Sequence, residues 1–281
     1  MSEQVCTKAV DTHGYPVETT GNAVLDILEH RSSTRAFARD DDDRPVAVTD
    51  EQRAAILHAA SRAPSAGAMM MYSIVSIREQ ATLDRLADLC DHQPMIAKRP
   101  ALIFVVDYAK WIDLFEHVGC FEPEFVERTG KSPRRAPGLG DFAIAAQDAM
   151  IAAQNAVVAA EALGLGSCYI GDVVENAEEV AALLDLPPYT MPLSMLIIGT
   201  PRKERPAIAH PVVNLVHEER YCRADAATLD AQVAEMDAMF RPHAREVGER
   251  VVDIYTRKHT SPFMAEMSRS MEWWFKNWLG K

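Results

Sequence analysis

Residues 141–163 are the feature that most constrains the fold of this chain. The segment is its longest helical stretch, rich in alanine and poor in charges. A helix with so few polar side chains is expected to be buried nearly all round, and its small side chains allow close packing against another helix. Gly164, which follows, favours the left-handed conformation that ends many helices. We therefore predict a central helix in the protein core.

Composition limits the kinds of partner that this protein can have. The chain has 281 residues, of which 48% are hydrophobic, so it can bury a full core in one large or two small domains. Its formal net charge of −12 argues against binding to nucleic acid or to an anionic membrane. The polar residues 1–21 lack the pattern of a signal peptide, and we find no stretch apolar enough to cross a bilayer. We expect a cytoplasmic protein.

Several common classes of site are not supported. The five cysteines are scattered and form no CxxC pair, so we expect reduced thiols rather than a disulfide framework or a zinc site. The histidines are dispersed, and no metal site is predicted. The glycine-containing run at residues 164–171 follows a helix and leads into a strand, the reverse of a dinucleotide-binding turn. The chain also lacks a P-loop, a GxSxG elbow and an HExxH helix.

The hydrophobic periodicity predicts alternating helices and strands. Helices are expected from Asn22 to His30, after a cap at Thr49 or Asp50, and over residues 176–184. Strands are expected at residues 72–77, 101–106, 167–170 and 191–199. Residues 111–140 are irregular and rich in proline and glycine, which is typical of a flap over a site.

Two short segments predict a site for a phosphorylated cofactor. Arg31 and Arg35 flank a run of hydroxyl side chains, and guanidinium forks and hydroxyls both suit phosphate oxygens. In the second segment Pro64 fixes one backbone angle and Gly67 permits unusual ones, so a tight turn is expected there against a flat ligand.

Three ordered segments resemble the nitroreductase family of FMN-dependent oxidoreductases. They read RSSTRAF from Arg31, APSAG from Ala63 and GLGSCYIGD from Gly164, and the likeness extends over residues 22–221. The resemblance implies an α+β fold, a three-layer sandwich with a mainly antiparallel central sheet wrapped by helices. It also implies an intertwined homodimer with FMN at the subunit interface and NAD(P)H as electron donor.

The resemblance also assigns roles to residues of this chain. The phosphate and ribityl contacts correspond to Arg31, Ser32, Ser33 and Arg35. The turn that borders the flavin ring from the partner subunit corresponds to Pro64, Ser65, Ala66 and Gly67, with Gln93 as a hydrogen-bonding amide. The strand end near the flavin N5 corresponds to Tyr169, Ile170, Gly171 and Asp172. No side chain is assigned as catalytic, because the flavin carries the chemistry.

The chain departs from the family pattern at two places. Polar flavin contacts are usual in the family at the positions of Ala68, Met69, Met70 and Met71. We expect these methionines either to fill the core or to shape an apolar substrate pocket. A further cationic phosphate ligand of the family is missing from residues 207–210. Its possible substitutes are Arg202, Lys203, Arg205, Arg257 and Lys258.

We therefore expect an NAD(P)H oxidoreductase that reduces nitroaromatics, quinones or flavins by a ping-pong mechanism. The alternatives are a noncatalytic relative with weak or lost FMN binding, and a different redox reaction such as reductive dehalogenation or oxidation of a bound metabolite. The expected organisation is a polar segment (1–21), the FMN-binding domain (22–221) and a helical extension (222–281). The aromatic tail of that extension either packs on the rest of the chain or on the partner subunit, or it lies on a membrane surface. We favour packing.

Overall fold

The computed structural model describes residues 21–42, 44–131, 135–203, 214–243 and 245–280. The chain divides into two compact units, one formed by Arg31–Arg205 with Glu266–Lys281 and the other by Met1–His30 with Pro206–Ala265. The organisation expected from the sequence, with bounds at residues 21 and 221, stays a prediction.

In chain order the helices are α1 (Ala23–His30), α2 (Asp50–Ser61), α3 (Gln80–Leu89), α4 (Ala109–His117), α5 (Pro123–Thr129), α6 (Leu139–Ala162), α7 (Ala177–Leu183), α8 (Ala226–Phe240), α9 (Glu249–Ile254) and α10 (Pro262–Trp278). The strands are β1 (Tyr72–Ile77), β2 (Ala101–Asp107), β3 (Gly166–Ile170) and β4 (Thr190–Gly199). All four predicted strands are confirmed to within one residue at each end, which is the usual uncertainty of such boundaries.

The four strands form one antiparallel sheet with the order β1-β2-β4-β3. Successive side chains of a strand point to opposite faces. Accordingly Leu102 and Phe104 pack toward α2 and α6, whereas Ile103 and Val105 belong to the core cluster that contains α3, α7 and the end of α10. The predicted α+β sandwich, an antiparallel sheet between two layers of helices, is confirmed.

Helix α6 is the predicted central helix. Its buried face is mostly alanine, and it packs against α2 and against all four strands. The prediction of burial all round is wrong for the single chain, because Ile144, Met150 and Ile151 are 42%, 39% and 41% exposed. By length and composition α6 is also apolar enough to span a membrane, contrary to the sequence-based expectation. Its packing against the sheet makes it a core helix of this fold.

Two further expectations are corrected. The irregular stretch at residues 111–140 contains the end of α4, all of α5 and the start of α6, and its residues 132–134 lie outside the described part. Cys90, Cys120 and Cys168 carry free thiols, as expected. Cys222 is disulfide-bonded, so the prediction of a reduced thiol is wrong there.

The smaller unit is organised around two aspartates. Asp237, at the end of α8, is buried and accepts hydrogen bonds from the backbone amides of Gly248 (2.5 Å) and Arg250 (2.9 Å). Asp253 on α9 forms an ion pair with Arg257 at 2.5 Å, which holds the pKa of that carboxyl below its usual range. The Asp237 bonds connect the end of α8 to the start of α9, and the Asp253–Arg257 pair connects α9 to the residues that follow it.

The end of α10 packs into the larger unit, as favoured for the aromatic tail. Trp274 and Trp278 are fully buried. Trp274 Nε1 donates to the Val174 carbonyl at 2.9 Å, and Trp278 Nε1 donates to the Gly138 carbonyl at 3.1 Å. Each indole therefore buries its rings and also satisfies its only polar group, which suits tryptophan to this position.

We expect Trp274→Ala to lower the free energy of unfolding by about 3–5 kcal/mol, because it leaves a cavity in the core and an unpaired Val174 carbonyl. Urea denaturation followed by circular dichroism measures this loss. Glu272→Ala, an exposed change on the same helix, is the matched control and is expected to stay within about 0.5 kcal/mol of the wild type. Similar losses for the two variants would contradict a core position for Trp274.

Candidate functional site

The segment with the two arginines lies along the β3 edge of the sheet. Ser33 forms a parallel bridge with Ser167, and the Thr34 amide donates to the Ser167 carbonyl at 2.8 Å. The extended segment alternates in burial, so that Ser32 and Thr34 are 6% and 2% exposed while Ser33 and Arg35 face solvent. Ser33, rather than Ser32, therefore presents its hydroxyl at the surface.

Two glycines allow this segment to lie so close to the sheet. A Cβ atom on Gly166 would lie 2.8 Å from Thr34 Cβ, and a Cβ atom on Gly199 would lie 2.9 Å from Phe37 Cδ1. Both distances are too short for real carbon atoms, so larger residues would push the segment away from β3 and β4. The sequence identified these glycines but not their partners.

Both arginines lie near β3. Arg31 Nε is buried and has no hydrogen-bond partner among the described residues. The positive charges of Arg35 and Arg31 partly oppose the effect of burial, which raises the pKa of the Cys168 thiol. Burial likewise raises the pKa of Tyr169 to about 12, against the influence of Arg31. Both guanidinium groups are thus within electrostatic reach of β3, and one of them has an unused donor.

The end of β3 continues this cluster. Tyr169 directs its hydroxyl to Gln154 on α6 (3.3 Å), and Ile170 is buried in the core. Gly171 is exposed, and its Cα faces open space. Gln93 donates a hydrogen bond from its side-chain amide to the Asp172 carboxylate. The structure therefore brings Gln93 to the end of β3, whereas the sequence analysis named it together with the turn at residues 64–67, as an amide that hydrogen-bonds the flavin ring; that role stays a prediction.

The second predicted segment forms a tight turn that is bound to α6. Asp148, a buried residue of α6, accepts hydrogen bonds from the Ser65 hydroxyl (2.8 Å) and from the amides of Ala66 (3.0 Å) and Met71 (3.4 Å). The Met70 amide donates to the Ser65 hydroxyl oxygen at 2.6 Å. One carboxylate thus holds both ends of the turn.

The backbone of this turn is strained as well as held. Gly67 has a φ of 58°, which glycine adopts at no steric cost. Ala68 and Met70 have φ values of 56° and 49°, which cost of order 1 kcal/mol or more for residues with a Cβ atom. Pro64 precedes the turn and is exposed. The hydrogen bonds to Asp148 offset this strain.

Helix α4 holds the other side of the turn. Trp111 Nε1 donates to the Met69 carbonyl at 2.9 Å, and Lys110 Nζ donates to the Tyr72 carbonyl at 2.5 Å. Burial lowers the pKa of Lys110, while the nearby charges of Asp107 and Asp148 act in the opposite direction. The buried Asp148 carboxylate thus has a cationic neighbour.

The structure separates the roles of the three methionines. Met71 is 3% exposed and Met69 packs against the same core cluster, so both fill the core. Met70 is 38% exposed, and it alone of the three is available to shape a substrate pocket. The core-filling interpretation therefore holds for Met69 and Met71, and a role of Met70 in a substrate pocket stays a prediction.

The two predicted halves of the site lie at opposite edges of the sheet. The segment at Ser33 runs alongside β3, whereas the turn leads into β1 at Tyr72. The paired residues place Ser33 at the level of Ile198 in β4 and Tyr72 at the level of Met191. At about 4.8 Å between strands and about 3.4 Å per residue, the two positions are roughly 30 Å apart in a flattened sheet. That distance is longer than one FMN molecule.

Sequence reasoning missed two residues that hold the turn, whereas it named Arg202 as a possible cationic ligand. Asp148 and Trp111 hold the turn, but they come from α6 and α4, distant in sequence. Arg202 lies beside the arginine segment, since its amide donates to the Ala36 carbonyl at 3.1 Å. An aspartate in the alanine-rich middle of the helix was the available signal for Asp148. The stretch at residues 207–210, where a cationic ligand is missing, lies outside the described residues.

We expect Asp148→Asn to destabilise the protein by about 1.5–3 kcal/mol, because an amide nitrogen replaces one acceptor and faces a backbone N–H. Chemical denaturation measures the loss, and the fluorescence of Trp111 reports a loosened turn. Asp113→Asn, an exposed change on α4, serves as the control. A loss no greater than that of Asp113→Asn would show that Asp148 does not hold the turn.

Comparisons with known proteins identify the family of this chain. The family model described as "Nitroreductase family" matches residues 28–200. An FMN reductase [NAD(P)H] from Bacillus subtilis is 32% identical over 215 residues, which covers 75% of this chain and 79% of the relative. An oxygen-insensitive NADPH nitroreductase from Salmonella typhimurium is 31% identical over 218 residues, covering 75% of this chain and 81% of the relative.

A solved structure of similar fold is the NADPH:FMN oxidoreductase from Vibrio harveyi in complex with NAD+. It superimposes with a TM-score of 0.65 and 25% sequence identity over 89% of this chain and 97% of the other. The sandwich, the edge segment and the family match together lead to one conclusion: the chain belongs to the nitroreductase family.

Proposed function

We propose that this protein is an FMN-dependent NAD(P)H oxidoreductase. The observation that carries the proposal is the buried Nε of Arg31, which has no hydrogen-bond partner among the described residues, beside the exposed Ser33 and Arg35. A buried guanidinium N–H is costly to leave unpaired, so it indicates a ligand with oxygen acceptors. The names of the curated relatives, an FMN reductase and an NADPH nitroreductase, support the same cofactors.

The residues at the β3 edge fit the phosphate end of FMN. Arg31 and Ser33 offer charged and neutral donors to phosphate oxygens, and Arg35 extends from the same exposed face. Arg202 joins them as the second cationic ligand, because its backbone is bonded to Ala36. Of the other predicted substitutes, Arg257 pairs with Asp253 and Lys258 lies over the Phe263 ring, while Arg205 lies outside the described residues.

When bound, FMN would supply the hydride and electron transfer between a nicotinamide and an acceptor. The residues of this chain bind and orient it. Arg35 is placed to stabilise negative charge on the reduced ring, and Gly171 keeps the strand end open to the ring because it has no side chain. Met70 gives the turn an exposed apolar surface. Nitroaromatics, quinones and flavins are the proposed acceptors, taken after the nicotinamide leaves.

The proposed active unit is a homodimer. The β3 edge and the turn at residues 64–67 are too far apart in one chain to contact the same FMN, and a second subunit brings the turn of one chain to the β3 edge of the other. The exposed Ile144, Met150 and Ile151 on α6 supply an apolar surface for that contact. In a two-fold interface each such residue is buried twice, once per subunit. A cytoplasmic location completes the proposal.

Replacing both Arg31 and Arg35 by alanine is expected to weaken FMN binding at least a hundredfold, because each charge-assisted hydrogen bond contributes about 1.5–3 kcal/mol. Titration of the apoprotein with FMN, followed by quenching of flavin fluorescence, measures the affinity. Arg128→Ala, an exposed change on α5, is expected to leave the affinity unchanged.

Two outcomes of this experiment count against the proposal. Unchanged affinity in the double variant would remove the phosphate role of the two arginines. Wild-type protein that remains colourless and oxidises no NADPH with excess FMN and a quinone would favour the noncatalytic alternative, which the loss of polar groups at Ala68 and Met70 suggests.

A charge on the exposed face of α6 tests the homodimer. Ile151→Asp is expected to shift the protein to a monomer in analytical ultracentrifugation and to abolish FMN binding, because burying a carboxylate in an apolar contact is unfavourable. Val118→Asp alters an apolar residue that is 67% exposed at the end of α4 and is the matched control. An Ile151→Asp dimer that keeps its FMN would place the interface elsewhere.

A further inference from the structure

A cavity of about 240 Å³ lies between α2, β2, the end of β4 and the coil at residues 45–48. Its inner wall is apolar and includes Ile56, Leu102 and Ile198, while three arginines complete its lining. None of the predicted flavin-contacting residues is among its lining residues. The cavity is therefore separate from the proposed FMN site.

The three arginines are Arg53 on α2, Arg78 after β1 and Arg99 before β2. Arg53 donates to the Ser76 hydroxyl from Nη2 (3.0 Å) and from Nε (3.3 Å), and no carboxylate of the described residues lies within ion-pair distance of it. Among the described residues, its side-chain hydrogen-bond partner is thus neutral and carries no compensating charge. In a chain with a formal net charge of −12, this concentration of cations is a local exception.

The other two arginines differ in their surroundings. Arg99 is 5% exposed, donates to the Ala38 carbonyl at 2.8 Å and stacks over the Phe37 ring at 5.2 Å. Burial, and then the charge of Arg39, lowers the pKa of Arg99, so an anion nearby is favoured. Arg78 forms a surface ion pair with Asp50 at 3.3 Å, which costs little to exchange for a ligand.

The size and the two-sided chemistry of the cavity define its ligand. An apolar cavity of about 150 Å³ holds benzene, so about 240 Å³ suits a ligand of about ten non-hydrogen atoms. The apolar wall requires a hydrocarbon body, and the guanidinium forks require an anionic group with paired oxygens. We propose that this cavity binds a small organic carboxylate with an aromatic or short aliphatic body, independently of the proposed flavin site.

Isothermal titration calorimetry with benzoate and with octanoate tests the proposal, in the absence and in the presence of added FMN. Benzoate is expected to bind at least tenfold more tightly than its neutral analogue benzamide and than inorganic phosphate, which lacks an apolar body. Added FMN is expected to leave the benzoate affinity unchanged. Competition by FMN, or phosphate binding as tight as that of benzoate, would overturn the proposal.

Variants localise the binding. Arg53→Gln is expected to weaken benzoate binding at least tenfold, because it removes the charge that has no ionic partner. Val48→Phe, which fills the cavity from the coil and keeps every charge, is expected to do the same. Arg62→Gln changes an exposed arginine just after α2 and is expected to have no effect. Absence of benzoate binding to the wild type, or equal affinities for all the variants, would overturn the assignment.

Discussion

The strand order of the sheet is the constraint on which the rest of the site depends. β1 and β3 are its two edges. The width of the sheet therefore separates the turn that leads into β1 from the arginine segment that runs alongside β3. No side-chain movement can close a gap of roughly 30 Å, since that gap is set by strand spacing and rise. A site made from both parts, as we propose, would therefore need two copies of the chain. The same order leaves one face of α6, which crosses all four strands, exposed in each copy.

The arginine segment depends on the sheet in a second way. An isolated Arg-Ser-Ser-Thr-Arg peptide has no reason to show one face to a ligand. Pairing with Ser167 imposes the two-residue alternation, and the alternation buries Ser32 and Thr34 while it exposes Ser33 and Arg35. That pairing requires Gly166, because a Cβ atom there would collide with Thr34. The glycine contributes no chemistry, yet it determines which hydroxyl the site can use.

The sequence predicted those parts of the fold whose pattern is local. The strand at Tyr72–Ile77 and the capping role of Thr49 follow from neighbouring residues, and the structure confirms both. Helices α3, α4 and α5 were not predicted. For α4 and α5 the reason is that the prolines and glycines of residues 111–140 indicated irregular chain. Contacts between distant segments were also missed: Asp148 with Ser65 and the cavity with its three arginines each join residues that only the folded chain brings together.

The turn at residues 64–71 shows how such a contact determines the geometry of a site. Ala68 and Met70 occupy left-handed conformations in which asparagine or glycine is less strained. Such conformations persist only where the surroundings over-determine them. Here Asp148 accepts three hydrogen bonds from the turn and Trp111 donates a fourth. Because both anchors belong to helices of the core, the turn is rigid before any ligand binds, and the exposed Met70 is held in one position. For the proposed flavin site, we infer that this rigid placement of the turn compensates for the polar ring contacts that are usual in the family.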